Sequence, residues 1–214
     1  MLVRDVMTPN PYLIRPDSDY LAAIAIMRAG KFHHLPVVDE SGVLVGMVSQ
    51  ADLKHVRHGQ PSQQAVINGG VLIHVHEVME RDVVTIPPDY PIEDAVILLL
   101  EHQITGMVVV EDGEVKGILT HHDLFRQFVS ILGGGSATVR ITLEVDNRVG
   151  QLAALEARIA EAGGNIHSIA TYPAADPARI GFIIRLESLS LEDLLRAIED
   201  HPGIEILHLW DATG

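Results

Sequence analysis

Two short stretches of this chain place a hydroxyl three residues ahead of a carboxylate: Ser49-Gln-Ala-Asp52 and Thr120-His-His-Asp123. Each closes a phrase of the same pattern, GMVSQADL (46–53) and GILTHHDL (117–124), and the copies begin 71 positions apart. Two chemistries fit that spacing. In a capping box, the hydroxyl and the carboxylate satisfy free N–H groups at a helix start. Alternatively, a helix start after a β-strand attracts anions through its unpaired N–H groups and its dipole. The hydroxyl and N–H groups would then take phosphate while the carboxylate accepts from a ribose diol. Capping boxes favour Glu or Gln over the shorter Asp at the third position, which leans toward the second chemistry.

Other reactive patterns are scarce. The chain has no cysteine, so disulfides and thiolate chemistry are excluded. It contains no G-x-x-x-x-G-K-[ST], G-x-G-x-x-G or G-x-S-x-G motif. Twelve histidines include the pairs His33-His34, His74-x-His76 and His121-His122. Adjacent strand residues point to opposite faces, and no His-Glu-x-x-His helix is present, so no metal site is expected. Imidazoles near the hydroxyl–carboxylate turns would instead make anion binding pH-dependent. A formal charge of −14 argues against nucleic acid, which needs clustered Lys and Arg. The opening MLVRDVMTPNP lacks the apolar stretch of a signal peptide, and AVILLL (95–100) is too short to span a bilayer. These features predict a cytoplasmic chain without membrane contact.

The elements that must carry the turns are themselves duplicated. VRDVM (3–7) aligns with VHEVM (75–79), IRPD (14–17) with IPPD (86–89), and Ala23 with Ala95. Each copy reads β–α–β–β–α. In the first helix Leu21, Ile24, Ala25 and position 28 follow i, i+3, i+4, i+7 spacing behind the Pro16-Asp17 pair, with Gly30 near the end. Repeats are expected at 1–57 and 75–132, with a connector at 58–74. GGGS (133–136) reads as a flexible linker to a third domain at 137–214. There the order is β–α–β–β–α–β, the ferredoxin-like arrangement, with Ser190 as N-cap of the second helix.

The duplicated G-h-h-[ST]-x-x-D phrase, each copy preceded by an x-P-D helix start and a PVVD-like strand, resembles a tandem pair of CBS domains over about residues 1–132. The resemblance implies an α+β Bateman module with two clefts for AMP, ADP, ATP or another adenosyl compound, with no obligatory cofactor. Asp52 and Asp123 would hold ribose hydroxyls, and Ser49 and Thr120 would face phosphate, with His121 and His122 in the same turn. Ile14, Ile86, Leu35-Pro36 and Met107-Val108 would flank the base. Val108 departs from the Pro36 of the first repeat.

The tail resembles an ACT domain. Its first loop, Asn147-Arg148-Val149-Gly150-Gln151-Leu152, has Val where that family has Pro. The resemblance implies an amino-acid site at Asn147, Arg148, Val149, Gly150, Asn165 and Ile166, where two such domains meet. Gly150 and Gly163-Gly164 are otherwise only turn and cap residues. CBS–CBS–ACT order resembles acetoin-utilisation AcuB-type proteins. It implies a non-catalytic, homodimeric sensor that signals to a protein partner, or else a dimeric adaptor with empty clefts.

Overall fold

A computed structural model describes residues 1–53, 73–136 and 138–212. The expected connector therefore lies outside the described residues except at 73 and 74. The chain divides into two compact units, 1–125 and 126–214.

In the first unit, a 3-10 turn (Val3–Asp5) and β1 (Thr8–Pro9) precede α1 (Tyr20–Gly30), β2 (His34–Val38) and β3 (Leu44–Ser49), with a helical turn at 50–53. The second copy repeats this as a 3-10 turn (Val75–Glu77), β4 (Thr85–Ile86), α2 (Ile92–Glu101), β5 (Gly106–Glu111), β6 (Glu114–Thr120) and α3 (His121–Ile131), a helix that runs on past the unit boundary at 125. The β5–β6 hairpin turns through Asp112-Gly113, both at positive φ, the conformation a two-residue hairpin loop needs.

The face of α1 differs from expectation. Tyr20, Ala23 and Met27 are buried, whereas Leu21, Ala25 and Arg28 are exposed. Asp19, not the Pro16-Asp17 pair, caps the helix by accepting from Leu21 N–H at 2.9 Å. The buried stripe starts one residue earlier because Tyr20 N–H is tied to Ile73 O and the helix packs on Val75 and Met79. In α2, Ile92, Ala95 and Leu99 are buried in the same pattern, so the aligned alanines 23 and 95 occupy matching core sites.

The second unit contains β7 (Val139–Asp146), α4 (Gln151–Glu161), β8 (Asn165–Pro173), β9 (Arg179–Glu187), α5 (Leu191–Ile198) and β10 (Glu205–Asp211). Its sheet order is β10-β7-β9-β8, antiparallel throughout, which is the ferredoxin-like βαββαβ topology. Val139, Ile141, Leu143 and Val145 alternate inward with Phe182, Ile184 and Leu186 against Leu155, Ile159, Leu194 and Ile198 of the helices. Ser190 caps α5, its Oγ accepting from Asp193 N–H. The GGGS stretch is not a free spacer. Gly133 is buried, and a Cβ there would lie 2.7 Å from His167 and 2.9 Å from both Arg185 Cδ and Ser168 Oγ.

Each repeat's leading segment is built into the other repeat's sheet. Thr8 and Pro9 pair with Ile118 and Gly117 of β6, while Glu80 and Met47 exchange backbone hydrogen bonds of 2.9 Å in both directions. Val3 and Arg4 N–H groups bond to the carbonyls of Tyr90 and Pro88; Val75 and His76 bond in the same way to Ser18 and Pro16. The repeats are contiguous in sequence yet exchange leaders in space. That crossing explains the glycine that opens each repeated phrase. A Cβ on Gly46 would lie 2.6 Å from Met79 Sδ and 2.8 Å from Glu80 O, and one on Gly117 would lie 2.5 Å from Met7 Sδ and 3.0 Å from Thr8 O. Gly46→Ala and Gly117→Ala should each lower stability by about 1–3 kcal/mol, the usual cost of overpacking. Urea unfolding of both variants beside wild type checks this, and unchanged midpoints would refute the close-approach explanation.

Candidate functional site

Both hydroxyl–carboxylate pairs sit where a strand delivers the chain into a helix, and both close on their own backbone. Ser49 N–H donates to Asp52 Oδ2 at 2.7 Å, and Asp52 N–H donates to Ser49 Oγ at 3.3 Å. Thr120 N–H donates to Asp123 Oδ2 at 3.0 Å, and Asp123 N–H donates to Thr120 Oγ1 at 3.4 Å. Asp is therefore long enough to complete a reciprocal capping box, contrary to the preference that argued against one. The copies differ in one bond. The Thr120 hydroxyl also donates to Asp123 Oδ2 at 2.6 Å, whereas no acceptor for the Ser49 hydroxyl occurs among the described residues. Oδ1 of each aspartate likewise carries no hydrogen bond among the described residues, and both side chains are partly buried.

Between the two turns lies His34, which the motif did not single out. It is buried to 9% exposure, and its Nε2 meets Thr105 Oγ1 of the other repeat at 3.0 Å. Its ring fills the room left by Gly106, where a Cβ would come within 3.3 Å. Gln50 N–H and His121 N–H make matching bonds to His33 O and Thr105 O, so both helix starts are tied to this joint. His121 Nδ1 is 3.0 Å from Thr105 O; the carbonyl only accepts, so that nitrogen carries the proton. His122 is exposed. Burial, then the neighbouring charges of His33 and His121, lowers the His34 pKa, and Asp52 and Asp123 oppose the shift. The repeat alignment sets Gly106 against His34 and Thr105 against His33, the one signal in the sequence for this joint.

The residues expected to flank a base are mostly core. Leu35, Met107 and Val108 have no exposed surface, and Ile14, Pro36 and Ile86 are buried. Leu35 and Ile14 pack with Val37, Val48 and Leu53 in the first repeat's cluster. These side chains hold the strands behind the turns and offer little surface to a ligand in this arrangement.

The ACT-type set is not assembled within one chain. Asn147 follows β7 beside the Arg179 end of β9, whereas Asn165 opens β8 opposite Glu187. The length of β9 separates them, roughly 26 Å at the usual strand rise. Asn165 Nδ2 donates to Glu187 Oε2 at 3.4 Å, and Ile166 packs on the core. Arg148 pairs with Asp146 at 2.5 Å, Val149 is fully exposed, and Gly150 caps α4 at φ 91° with no side-chain cap. No group of three or more His, Cys, Asp or Glu positioned to hold a metal occurs among the described residues, nor does a helix long and apolar enough to cross a membrane.

A four-stranded sheet and a two-stranded one extended by single bridges, with leaders exchanged and helix starts tied to one joint, define a tandem α+β pair. The sequence profile of the CBS domain matches residues 3–59 and 75–130, and the chain belongs to the CBS-domain family. The CBS pair of protein MJ0100, solved with 5′-methylthioadenosine and S-adenosyl-L-methionine, is similar at 29% identity and TM-score 0.52, covering 61% of this chain and 97% of that one. CBSX2 in complex with AMP is 31% identical with TM-score 0.52 over the same shares. The AcuB structure from Vibrio cholerae is 27% identical with TM-score 0.53, covering 62% and 95%. Among curated sequences, the L-aspartate semialdehyde sulfurtransferase of Methanocaldococcus jannaschii is 30% identical over 59% of this chain, which spans only 23% of that protein.

The lowered pKa of His34 has a definite consequence. Unfolded His34 takes a proton near 6.5 while the folded side chain resists it, so stability is full above that pH and falls as pH drops toward the folded pKa. Wild type should lose more stability than His34→Gln between pH 7.5 and 5.5, measured by urea midpoints. Equal losses would remove His34 from the acid response.

Proposed function

We propose that this protein is a non-catalytic sensor that binds an adenosine-type ligand at the joint between its CBS repeats. The observation that carries the reading is the pair of helix starts on either side of His34, each with N–H groups and a carboxylate whose Oδ1 carries no hydrogen bond among the described residues. A ribose diol would take Oδ1 of Asp52 or Asp123, and phosphate would draw on the helix N–H groups. Similar pairs with bound AMP or S-adenosylmethionine support the ligand class. The Ser49–Asp52 turn is the more receptive, because its hydroxyl is not spent on its own carboxylate.

On the same reading the repeats occupy 1–57 and 75–132, the second unit acts as an ACT domain, and an amino acid is held between the Asn147–Gly150 turn of one copy and Asn165 of another in a homodimer. A protein partner reads the resulting change, which requires each ligand to prefer one arrangement of the chain. The rival is an adaptor with empty clefts, favoured by the closed capping boxes and the buried base-flanking residues.

A thermal-shift screen of AMP, ADP, ATP, S-adenosylmethionine and 5′-methylthioadenosine separates the two. At 100 times Kd a ligand adds about 2.7 kcal/mol, which is about 5–11 °C for a chain of this size. Asp52→Ala should abolish the shift and Asp123→Ala should reduce it less. A screen with no shift supports the adaptor.

A further inference from the structure

A polar chain in the second unit is used by none of these functions. Ser136, the last residue of the GGGS stretch, brings its Oγ to 3.3 Å from His167 Nε2. His167 Nδ1 in turn lies 2.7 Å from Glu187 Oε1. A carboxylate only accepts, so Nδ1 carries a proton. In the neutral imidazole Nε2 is then a bare lone pair, and the Ser136 hydroxyl donates to it. Hydroxyl, imidazole and carboxylate joined in that order and polarity are the arrangement that activates a serine nucleophile.

An irregularity in the sheet puts the imidazole there. Asn165 and Ile166 of β8 pair with Glu187 and Leu186 of β9, but the next residue of β9, Arg185, lies opposite Ser168. His167 is thus the extra residue of a β-bulge, a device that re-aims a side chain. Leu186 belongs to the core under the helices, so Glu187 and Arg185 stand on the open face of the sheet. The Gly-rich turn closes over the same spot. A Cβ on Gly133 would lie 2.7 Å from His167 Cδ2 and 2.9 Å from Ser168 Oγ. Ser136 is also held by its backbone: its N–H bonds to Gly133 O at 3.5 Å, and its carbonyl accepts from Thr138 Oγ1 at 3.4 Å. Asn165 Nδ2 donates to Glu187 Oε2 at 3.4 Å, which leaves Oε1 for the imidazole. The side chains of His167 and Glu187 are 31% and 42% exposed, so a small reagent can reach them.

We propose that Ser136 is an acyl-acceptor site, a nucleophile that takes the acyl group of a small donor with a good leaving group. Its Oγ bonds to the carbonyl carbon while the hydroxyl proton passes to His167 Nε2. The bond from that carbon to the leaving atom breaks, the leaving group departs with the electron pair, and His167 gives the proton up to it or to water. Glu187 holds the ring in the tautomer that receives the proton. The N–H groups of Gly133, Gly134 and Ser136 are all spent on backbone carbonyls, so the turn gives an oxyanion little support and the donor must itself be activated. The acyl-serine is an ester with a poor leaving group and persists. The outcome is a covalent mark rather than turnover, and it needs neither of the ligands proposed above.

The test is incubation of the full chain, without nucleotide, with p-nitrophenyl acetate. Release of p-nitrophenolate gives the rate, and peptide mass spectrometry locates the acetyl group. One equivalent on Ser136 is expected, absent in Ser136→Ala and slowed about a hundredfold or more in His167→Gln, the usual worth of a general base. Glu187→Gln should slow it as well. In wild type the rate should fall with acid as the imidazole takes up a proton, and His167→Gln should lose that dependence. Unfolding in urea should slow wild type to the His167→Gln rate, because only the fold brings the three groups together. No acetyl on Ser136 in the folded wild type, or an unchanged rate there in either His167→Gln or Glu187→Gln, would overturn the proposal.

Discussion

A repeat of about 50 residues buries too little surface to stand alone, and that shortage governs the first unit. Each copy makes up the deficit with the other's leader: Val75 and Met79 complete the core around Ala23, Leu35 and Val48, while Met7 lies over Gly117. The exchange works only because the receiving strand has a glycine where the leader's methionine and carbonyl pass. Neither repeat can therefore loosen without exposing part of its twin. A ligand gripping one helix start, as proposed, would act on both halves.

Much of this organisation was legible in the sequence, because duplication converts a weak local signal into a register. Ala23 and Ala95 align and both are fully buried; the β–α–β–β–α order and the βαββαβ tail follow from strand and helix periodicities. What escaped reading depends on tertiary partners. The buried stripe of α1 is displaced by one residue because Ile73 and Val75 fix where the helix docks. Gly133 looks like a spacer until Ser168 and Arg185 crowd it. The short Asp side chain closes a capping box because each strand enters its helix tightly enough to bring Oδ2 back to the first N–H.

The same contrast holds at the site. Hydroxyl and carboxylate were found by spacing, but their present hydrogen bonds are local and leave half of each carboxylate unused. The apolar residues assigned to a base by resemblance are buried on both faces of their strands, and sequence pattern does not distinguish a wall of a cleft from the core behind it. In the sequence His34 stood out only as a member of the His33-His34 pair. Its meaning comes from Gly106, its counterpart in the other copy, which leaves the space the imidazole fills.

That substitution breaks the symmetry where function would use it. An exact duplicate would present two equal clefts, and a ligand could not report which one it occupied. Here one repeat contributes an imidazole and the other a glycine and a threonine hydroxyl to a single joint. One turn then locks its hydroxyl onto its own acid, and the other makes no such bond. A charge arriving at the first turn meets Asp52, His33 and the edge of His34; at the second it meets Asp123, His121 and Thr105. If each turn takes a ligand as proposed, the two sites would differ in the cost of opening, and the shared joint would let the first occupant change the terms for the second. The repeat supplies the common scaffold, and the departures at this joint make its two turns chemically different.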